Sequence, residues 1–247
     1  MPAFFLAAPM NARFFVDQPL GTTGQAFDLP AGAARHAQVL RAQPGDLLTL
    51  FDGRDDQEWQ AEVLTMGRSS VSVRLLGARV LRHELAQPLH MALVMPANDR
   101  MDFVVEKATE LGVASIQPLM SERSVLRLNA ERAEKKLAHW QGVAQAAAEQ
   151  CGRVRVPRLQ PVQTLSAWLA ALPNDGSQRA LLAPSAHGLG GLKRNAPLLT
   201  LSGPEGGLSP AEEAAAQARG FQAVGLGPRV LRADTAPLAL LAWWGLA

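Results

Sequence analysis

Apolar and polar positions along this chain follow two different periods. Between Leu47 and Leu76 the apolar residues recur about every second position, in LLTLF (47–51), EWQAEVLTM (58–66) and SVSVRLL (70–76). That period is the mark of half-buried strands. Asp52-Gly53 and Gly67-Arg68-Ser69 separate the runs as turns. Only AGAARHAQVLR (31–41) in this third reads as a helix, placed before Gly45. Short strands at close spacing predict a small β-barrel. HELAQPLH (83–90) then interrupts the pattern as a boundary. Beyond it, short apolar runs alternate with helical periods. LHMALVM, ASIQPLM, RALLAP, LLTLS and FQAVGLG read as strands. DRMDFVVEKATELG, NAERAEKKLAHWQGVAQAAAEQ, VQTLSAWLAAL, SPAEEAAAQARG and TAPLALLAWWGL read as helices. Alternating strands and helices predict an α/β domain with a mainly parallel sheet covered on both faces.

Composition narrows the function classes. With 48% hydrophobic and 19% charged residues, the chain can bury a substantial core and is not disordered. The net charge is only +2, so charge balance alone does not announce a nucleic-acid binder. Arginine nonetheless dominates the cations, the lysines being Lys107, Lys135, Lys136 and Lys193. Arginine is the better fork for phosphates and bases, although GC-rich coding produces the same bias. The single Cys151 excludes an intramolecular disulfide and a cysteine-based zinc site. The histidines lack ligand spacing, and no metal is expected. The N-terminal MPAFFLAAPMNARFF has no basic segment ahead of its apolar stretch, and the run from Leu238 to Ala247 is too short to span a bilayer. A soluble cytoplasmic protein is expected.

Two loops carry the candidate chemistry. In LLTLSGPEGGLSPAEE, Ser209-Pro210-Ala211-Glu212 has the form of a capping box that starts a helix by itself. Gly203-Pro204-Glu205-Gly206-Gly207 are therefore not needed to start it. They form either a tight turn with positive-φ positions or a backbone surface that something approaches closely. The stretch also departs from the G-x-G-x-x-G dinucleotide fingerprint. In LGPRVLRADTAP (226–237), Arg229 and Arg232 lie just ahead of the last helix, which Asp234 or Thr235 would cap. The helix macrodipole disfavours cations there, which points to an anionic partner unless the arginines are simply solvated. ALLAPSAHG, LLTLSGPEGG and AVGLGPRVLR each run from a strand into a Gly- or Pro-rich loop, and in parallel sheets such loops line one site.

GPEGGLS (203–209) with LGPRVLRADTA (226–236) closely resembles the knotted SPOUT superfamily of RNA methyltransferases. Within it, the chain is similar to the bacterial family that methylates N3 of a uridine in 16S ribosomal RNA. EKATELGVASIQPLMSERSV (106–125) and EQCGRVRVP (149–157) resemble that family's middle motifs. ARFFV (12–16) and HAQVLRAQPGD (36–46) resemble its PUA-like RNA-binding domain. The chain departs from the pattern in an extension over residues 1–11 and in PANDRMD (96–102), which lacks a lysine often found there. The resemblance implies a PUA-like domain over 1–84 and a trefoil-knotted methyltransferase domain over 88–247. It also implies S-adenosylmethionine held bent against main-chain groups. Leu201, Ser202, Gly203 and Gly207 would form one side of its site. Leu226, Gly227, Val230 and Leu231 would form the other, over a floor of Leu182, Ala183 and Pro184.

The same resemblance assigns roles. Removing the N3 proton of uracil leaves an enolate that a guanidinium stabilises, and Arg229 and Arg232 are the candidates. Glu205 is either a general base or an acceptor for turn N–H groups. Arg13 matches a family position that meets RNA, and Arg123 and Arg153, with Arg127, Arg155 and Arg158, would form a basic rim. His36 is expected to pack or cap. The target must be unpaired or flipped out, so an assembled small ribosomal subunit is the implied partner. The last helix is apolar around most of its circumference. It is either internal or the contact of a homodimer packed through the knotted domain. Two rivals stay open: a knotted enzyme acting on a ribose 2′-OH or a tRNA base, and a non-catalytic RNA-binding or assembly protein.

Overall fold

The computed structural model describes residues 12–97 and 100–245. The expected extension over residues 1–11, as well as Asn98, Asp99, Leu246 and Ala247, lies outside the described residues. The chain divides into two compact units, one running to Glu84 and including Ala148–Arg155, the other made of Leu85–Ala147 and the residues from Val156 onward.

The first unit contains β1 (Arg13–Phe15), β2 (Ala26–Asp28), α1 (Ala31–Val39), β3 (Leu47–Phe51), β4 (Gln57–Met66) and β5 (Val71–Val80). They form a five-stranded sheet in the order β1-β3-β4-β5-β2. β1 runs parallel to β3, and the other pairs are antiparallel. Among the described residues no pairing joins β1 to β2, so the expected barrel is a mixed sheet whose hydrogen-bonded path has two ends. Register shifts at Gln60/Ala61 and Val63/Thr65 bend its long hairpin. Val71, Val73 and Leu75 alternate inward and meet Phe14, Leu50, Trp59 and the alanines of α1 in one core. Three-residue strands such as β1 and β2 are too short to show a period, which is why the hydrophobic pattern misses them. The helix predicted to Arg41 stops at Val39, and Arg41 turns the chain in the left-handed region at φ 57°.

The second unit begins with β6 (Leu89–Val94), α2 (Arg100–Glu110), β7 (Ser115–Met120) and α3 (Ala130–Cys151), whose last turn belongs to the first unit. It continues through β8 (Arg158–Leu159), β9 (Gln163–Thr164), α4 (Leu165–Ala171), β10 (Gln178–Leu182), β11 (Leu198–Ser202), α5 (Pro210–Ala218), β12 (Gln222–Val224) and α6 (Thr235–Gly245). Its sheet has the order β12-β10-β11-β6-β7-β8, with β9 also on β7, and every pair is parallel. β6 shows why both faces are covered. Leu89, Met91 and Leu93 enter a core with Met101 and Val105 of α2, Trp140 of α3 and Leu240 of α6. Ala92 and Val94 face Trp168 of α4 and Ala216 of α5. The segment read as one helix from Val162 is instead split. Gln163 and Thr164 pair with β7, and the Thr164 hydroxyl then caps α4. α6 buries Pro237, Leu240, Leu241 and Trp244 and leaves Leu238 and Trp243 half-buried. No helix among the described residues is long and apolar enough to cross a membrane.

Candidate functional site

β10, β11 and β12 lie side by side, so the loops at their carboxyl ends meet. They enclose a cavity of about 530 Å³, within the ~300–1,000 Å³ range of small-molecule sites. The floor is Leu181 to Pro184 at the end of β10, one wall is the glycine turn after β11, and the opposite wall is the loop before α6.

Each wall is fixed by local backbone chemistry. In the glycine turn, Gly207 N–H donates to the Pro204 carbonyl at 2.9 Å, and Gly207 adopts φ +67°. At Gly203 an added Cβ would come within 3.1 Å of the Leu208 nitrogen and 3.2 Å of Leu208 Cγ. The turn itself therefore leaves little room for a side chain at Gly203. At Gly207 and Gly227 (φ +94°) an added Cβ would meet open space, so conformation alone favours glycine there. Arg123 Nη1 donates to the Gly206 and Leu208 carbonyls at 3.0 and 3.2 Å and braces the turn from outside. The capping box follows as read: Ser209 N–H donates to Glu212 and Glu212 N–H to the Ser209 hydroxyl. The next strand exits through Gly225, whose N–H donates to the Gly188 carbonyl at 2.8 Å. A Cβ on Gly225 would lie 1.9 Å from the Ala186 oxygen, so two stretches of main chain cross in contact there.

The structure brings nearly all the expected residues together. Leu182, Ala183, Pro184, Ser202, Gly203, Gly207, Leu226, Gly227, Val230 and Leu231 line the cavity, with Glu205, Arg229 and Arg232. Leu201 does not line it; its side chain is fully buried in the layer beneath α5. Arg229 and Arg232 are exposed at the rim. The Glu205 carboxylate accepts the Ala97 N–H at 2.9 Å, so it clamps the neighbouring loop after β6 and not its own turn.

Two expected RNA contacts are placed otherwise. Arg153 is only 4% exposed, and its guanidinium is held by the Glu84 carboxylate through Nε and Nη2. Burial and that partner remove it from a phosphate-binding rim. Arg13 is ion-paired with the buried Glu58, donates to the Arg153 carbonyl at 2.9 Å and stacks over Phe51. Arg155 pairs with Asp56 at 2.8 Å, and Arg127 donates to the Glu122 carbonyl. His36 packs edge-on against Phe14, as expected of a packing histidine.

Pattern reading did not find Ala97, Arg100, Glu213 and Asp234 as cavity residues. Arg100 opens α2 after β6, and β6 neighbours β11 only through a long-range pairing that no local period reveals. Arg100 Nη1 donates to Asp234 Oδ2 at 2.5 Å, and the Thr235 hydroxyl donates to Oδ1 at 3.1 Å. Burial opposes ionisation of Asp234, but these hydrogen bonds and the nearby guanidinium outweigh it and hold the carboxyl below the ordinary aspartate range. The cavity thus combines exposed backbone, three arginines at its mouth, the engaged carboxylates of Glu205 and Asp234, and that of Glu213.

Comparison with known proteins gives a consistent picture. An RNA methyltransferase domain model matches residues 83–245, and an RNA methyltransferase PUA domain model matches residues 29–76. The ribosomal RNA small subunit methyltransferase E of Bacillus subtilis is 30% identical over 93% of this chain and 94% of its own length. The crystal structure of a methyltransferase of the same name from Neisseria gonorrhoeae, bound to S-adenosyl methionine, superposes with a TM-score of 0.87. It is 35% identical and covers 95% of this chain and 96% of its own. A Legionella pneumophila methyltransferase structure holding the same cofactor gives 0.88 at 31% identity, covering 95% of this chain and 97% of its own.

Proposed function

Because the chain belongs to the ribosomal RNA small subunit methyltransferase E family of RNA methyltransferases, we propose that it methylates N3 of a uridine in 16S ribosomal RNA. The observation that carries this reading is the cavity at the ends of β10, β11 and β12, walled by main chain and rimmed by Arg229 and Arg232. Its volume suits a nucleoside-sized cofactor, and the open space over Gly207 and Gly227 lets a ligand lie directly on peptide groups. When bound, S-adenosylmethionine supplies an electrophilic methyl group on a positively charged sulfur.

The residues of the chain have separate tasks. Main-chain groups of Leu182 to Pro184, Ser202, Gly203, Gly207, Leu226, Gly227, Val230 and Leu231 hold the cofactor, and Leu201 backs the wall from the core. Arg229 and Arg232 align the base and stabilise negative charge on the uracil oxygens as the N3 proton passes to a general base. Glu205 fixes the wall by accepting the Ala97 N–H on Oε1, and Oε2, without a partner among the described residues, is the candidate to take the N3 proton. Arg123 braces the cofactor turn at the same edge.

Residues 1–84 form the RNA-binding domain and residues 88–247 the catalytic one. The crossing of Gly225 against Ala186 supports a knotted path for the catalytic chain. Leu238 and Trp243 on α6, with the exposed Phe103 on α2, support a homodimer through that domain. The working compartment is the cytoplasm, where small subunits are assembled. The test is nucleoside analysis of 16S RNA, free and in assembled subunits, after incubation with protein and labelled cofactor. Label in 3-methyluridine supports the reading. Label on a ribose oxygen or on another base of that RNA refutes it.

A further inference from the structure

Ala97 and Arg100, between the end of β6 and the start of α2, line the cavity, and the roles above give Arg100 no chemistry. Each of the two is tied down. Ala97 N–H is held by Glu205, and Arg100 is held by Asp234. Asp234 is buried, with both carboxylate oxygens engaged, one by Arg100 and one by Thr235. The Arg100 side chain is 40% exposed and lines the cavity, so it stands at the mouth and not in the depth. Beyond the Nη1 contact, its guanidinium donors have no partner among the described residues.

Arg100 differs in kind from Arg229 and Arg232. Those two are exposed at the rim, and neither carries an ion pair among the described residues; they bring net positive charge to the site. Arg100 and Asp234 together are neutral, so the pair adds little to phosphate attraction, which scales with the charge neutralised. What it offers is direction. A planar guanidinium with one arm fixed presents its other N–H groups at a set angle. Such a group suits a neutral carbonyl oxygen better than a phosphate.

We propose that Arg100, fixed by Asp234, is a specificity-determining residue that donates to the exocyclic oxygen at C4 of the target base. Uracil presents an acceptor at that position and cytosine an amino donor. A cytosine there sets donor against donor and leaves both unpaired within a confined site. Asp234 is the positioning residue of the pair. The inference rests on the proposed action at uridine N3.

The experiment uses the full chain with substrate RNA carrying either uridine or cytidine at the methylated position. Methyl transfer, cofactor affinity by calorimetry, and the salt dependence of RNA binding are measured for wild type, R100Q and D234N. A good base-edge contact is worth roughly tenfold to a hundredfold in discrimination. R100Q is expected to lose about that factor on uridine RNA and to move the uridine-to-cytidine ratio toward parity, because a glutamine amide can donate or accept. Cofactor affinity and salt slope stay at wild-type values. D234N moves the ratio the same way by a smaller factor, since the guanidinium is present but unfixed. Equal losses on both RNAs, or a parallel loss of cofactor affinity, overturn the inference. So does a salt slope reduced by about one, which marks a phosphate contact. If wild type forms no 3-methyluridine, the underlying reading fails along with it. If wild type forms it and R100Q keeps the ratio, the inference fails alone.

Discussion

Gly225 offers the sharpest physical test of how the site is built. Replacing it with alanine would put Cβ 1.9 Å from the Ala186 oxygen and 2.7 Å from the Ala186 carbonyl carbon. Both are main-chain atoms, so no side-chain rotation relieves the contact. Either the strand exit or the β10 loop must shift, and the Gly225 N–H bond to the Gly188 carbonyl shifts with it. Overpacking typically costs ~1–3 kcal/mol, and a lost backbone hydrogen bond adds ~0.5–1.5 kcal/mol. The expected destabilisation is about 3 kcal/mol, or roughly 6–12 °C in Tm for a chain of this size. Gly206 is the internal control, because its added Cβ would meet only Arg123 side-chain carbons at 3.7 and 3.8 Å. That substitution should fall within about 0.5 kcal/mol of wild type. Urea denaturation of both variants, with cofactor calorimetry alongside, reads the difference. If G225A is as stable as G206A and binds cofactor equally well, the two stretches of main chain do not press against each other at Gly225.

Arg232→Ala should lower methyl transfer by about a hundredfold or more while leaving cofactor affinity within a few-fold, by analogy with removing one preorganised donor; single-turnover kinetics with calorimetry decides, and equal losses refute the role. Arg153→Ala should destabilise by about 2–3 kcal/mol, because it leaves the Glu84 carboxylate without its guanidinium, yet leave the salt slope of RNA binding unchanged. A reduced slope would return Arg153 to the RNA-contacting residues. His90 is half-buried with its ring nitrogen 2.8 Å from the Ser115 hydroxyl, and burial lowers its pKa below the ordinary histidine value. The unfolded chain then binds the proton first, so this contribution to stability is complete above about pH 6.5 and declines as pH falls toward the depressed value. Denaturation midpoints from pH 5 to 8 should show that acid-side decline reduced in H90N; an unchanged profile refutes it.

Much of this architecture was legible because long elements declare their period. The strands β6, β7, β10 and β11 and the long α3 follow from apolar spacing, and the Ser209–Glu212 box located a helix start to the residue. The convergence of three loops followed from their shared position after parallel strands. What could not be read depends on neighbours far away in sequence. Arg153 and Arg13 read as RNA-contacting arginines, and only folding reveals Glu84 and Glu58 as their partners. Arg100 was silent because nothing local shows that β6 lies against β11. Local sequence leaves turn and ligand approach open for Gly203; it lines the cavity, and its nearest constraint is Leu208 within the same turn. Within AVGLGPRVLR nothing local separates Gly225, the tightest glycine among the described residues, from Gly227.

The order of strands in the parallel sheet also dictates when the protein can begin to work. β6 pairs in register with β11, Leu89 opposite Leu198, so its partner emerges from the ribosome more than a hundred residues later. At translation rates of about 5–20 residues per second, that edge stays open for roughly 5–20 seconds. During this interval a nascent chain exposes a row of unpaired amides and carbonyls, a natural target for chaperones. The ligand cavity arrives later still, since its far wall ends near Ala236. A chain made only as far as Arg155 can hold a complete first unit yet has no place to bind a methyl donor.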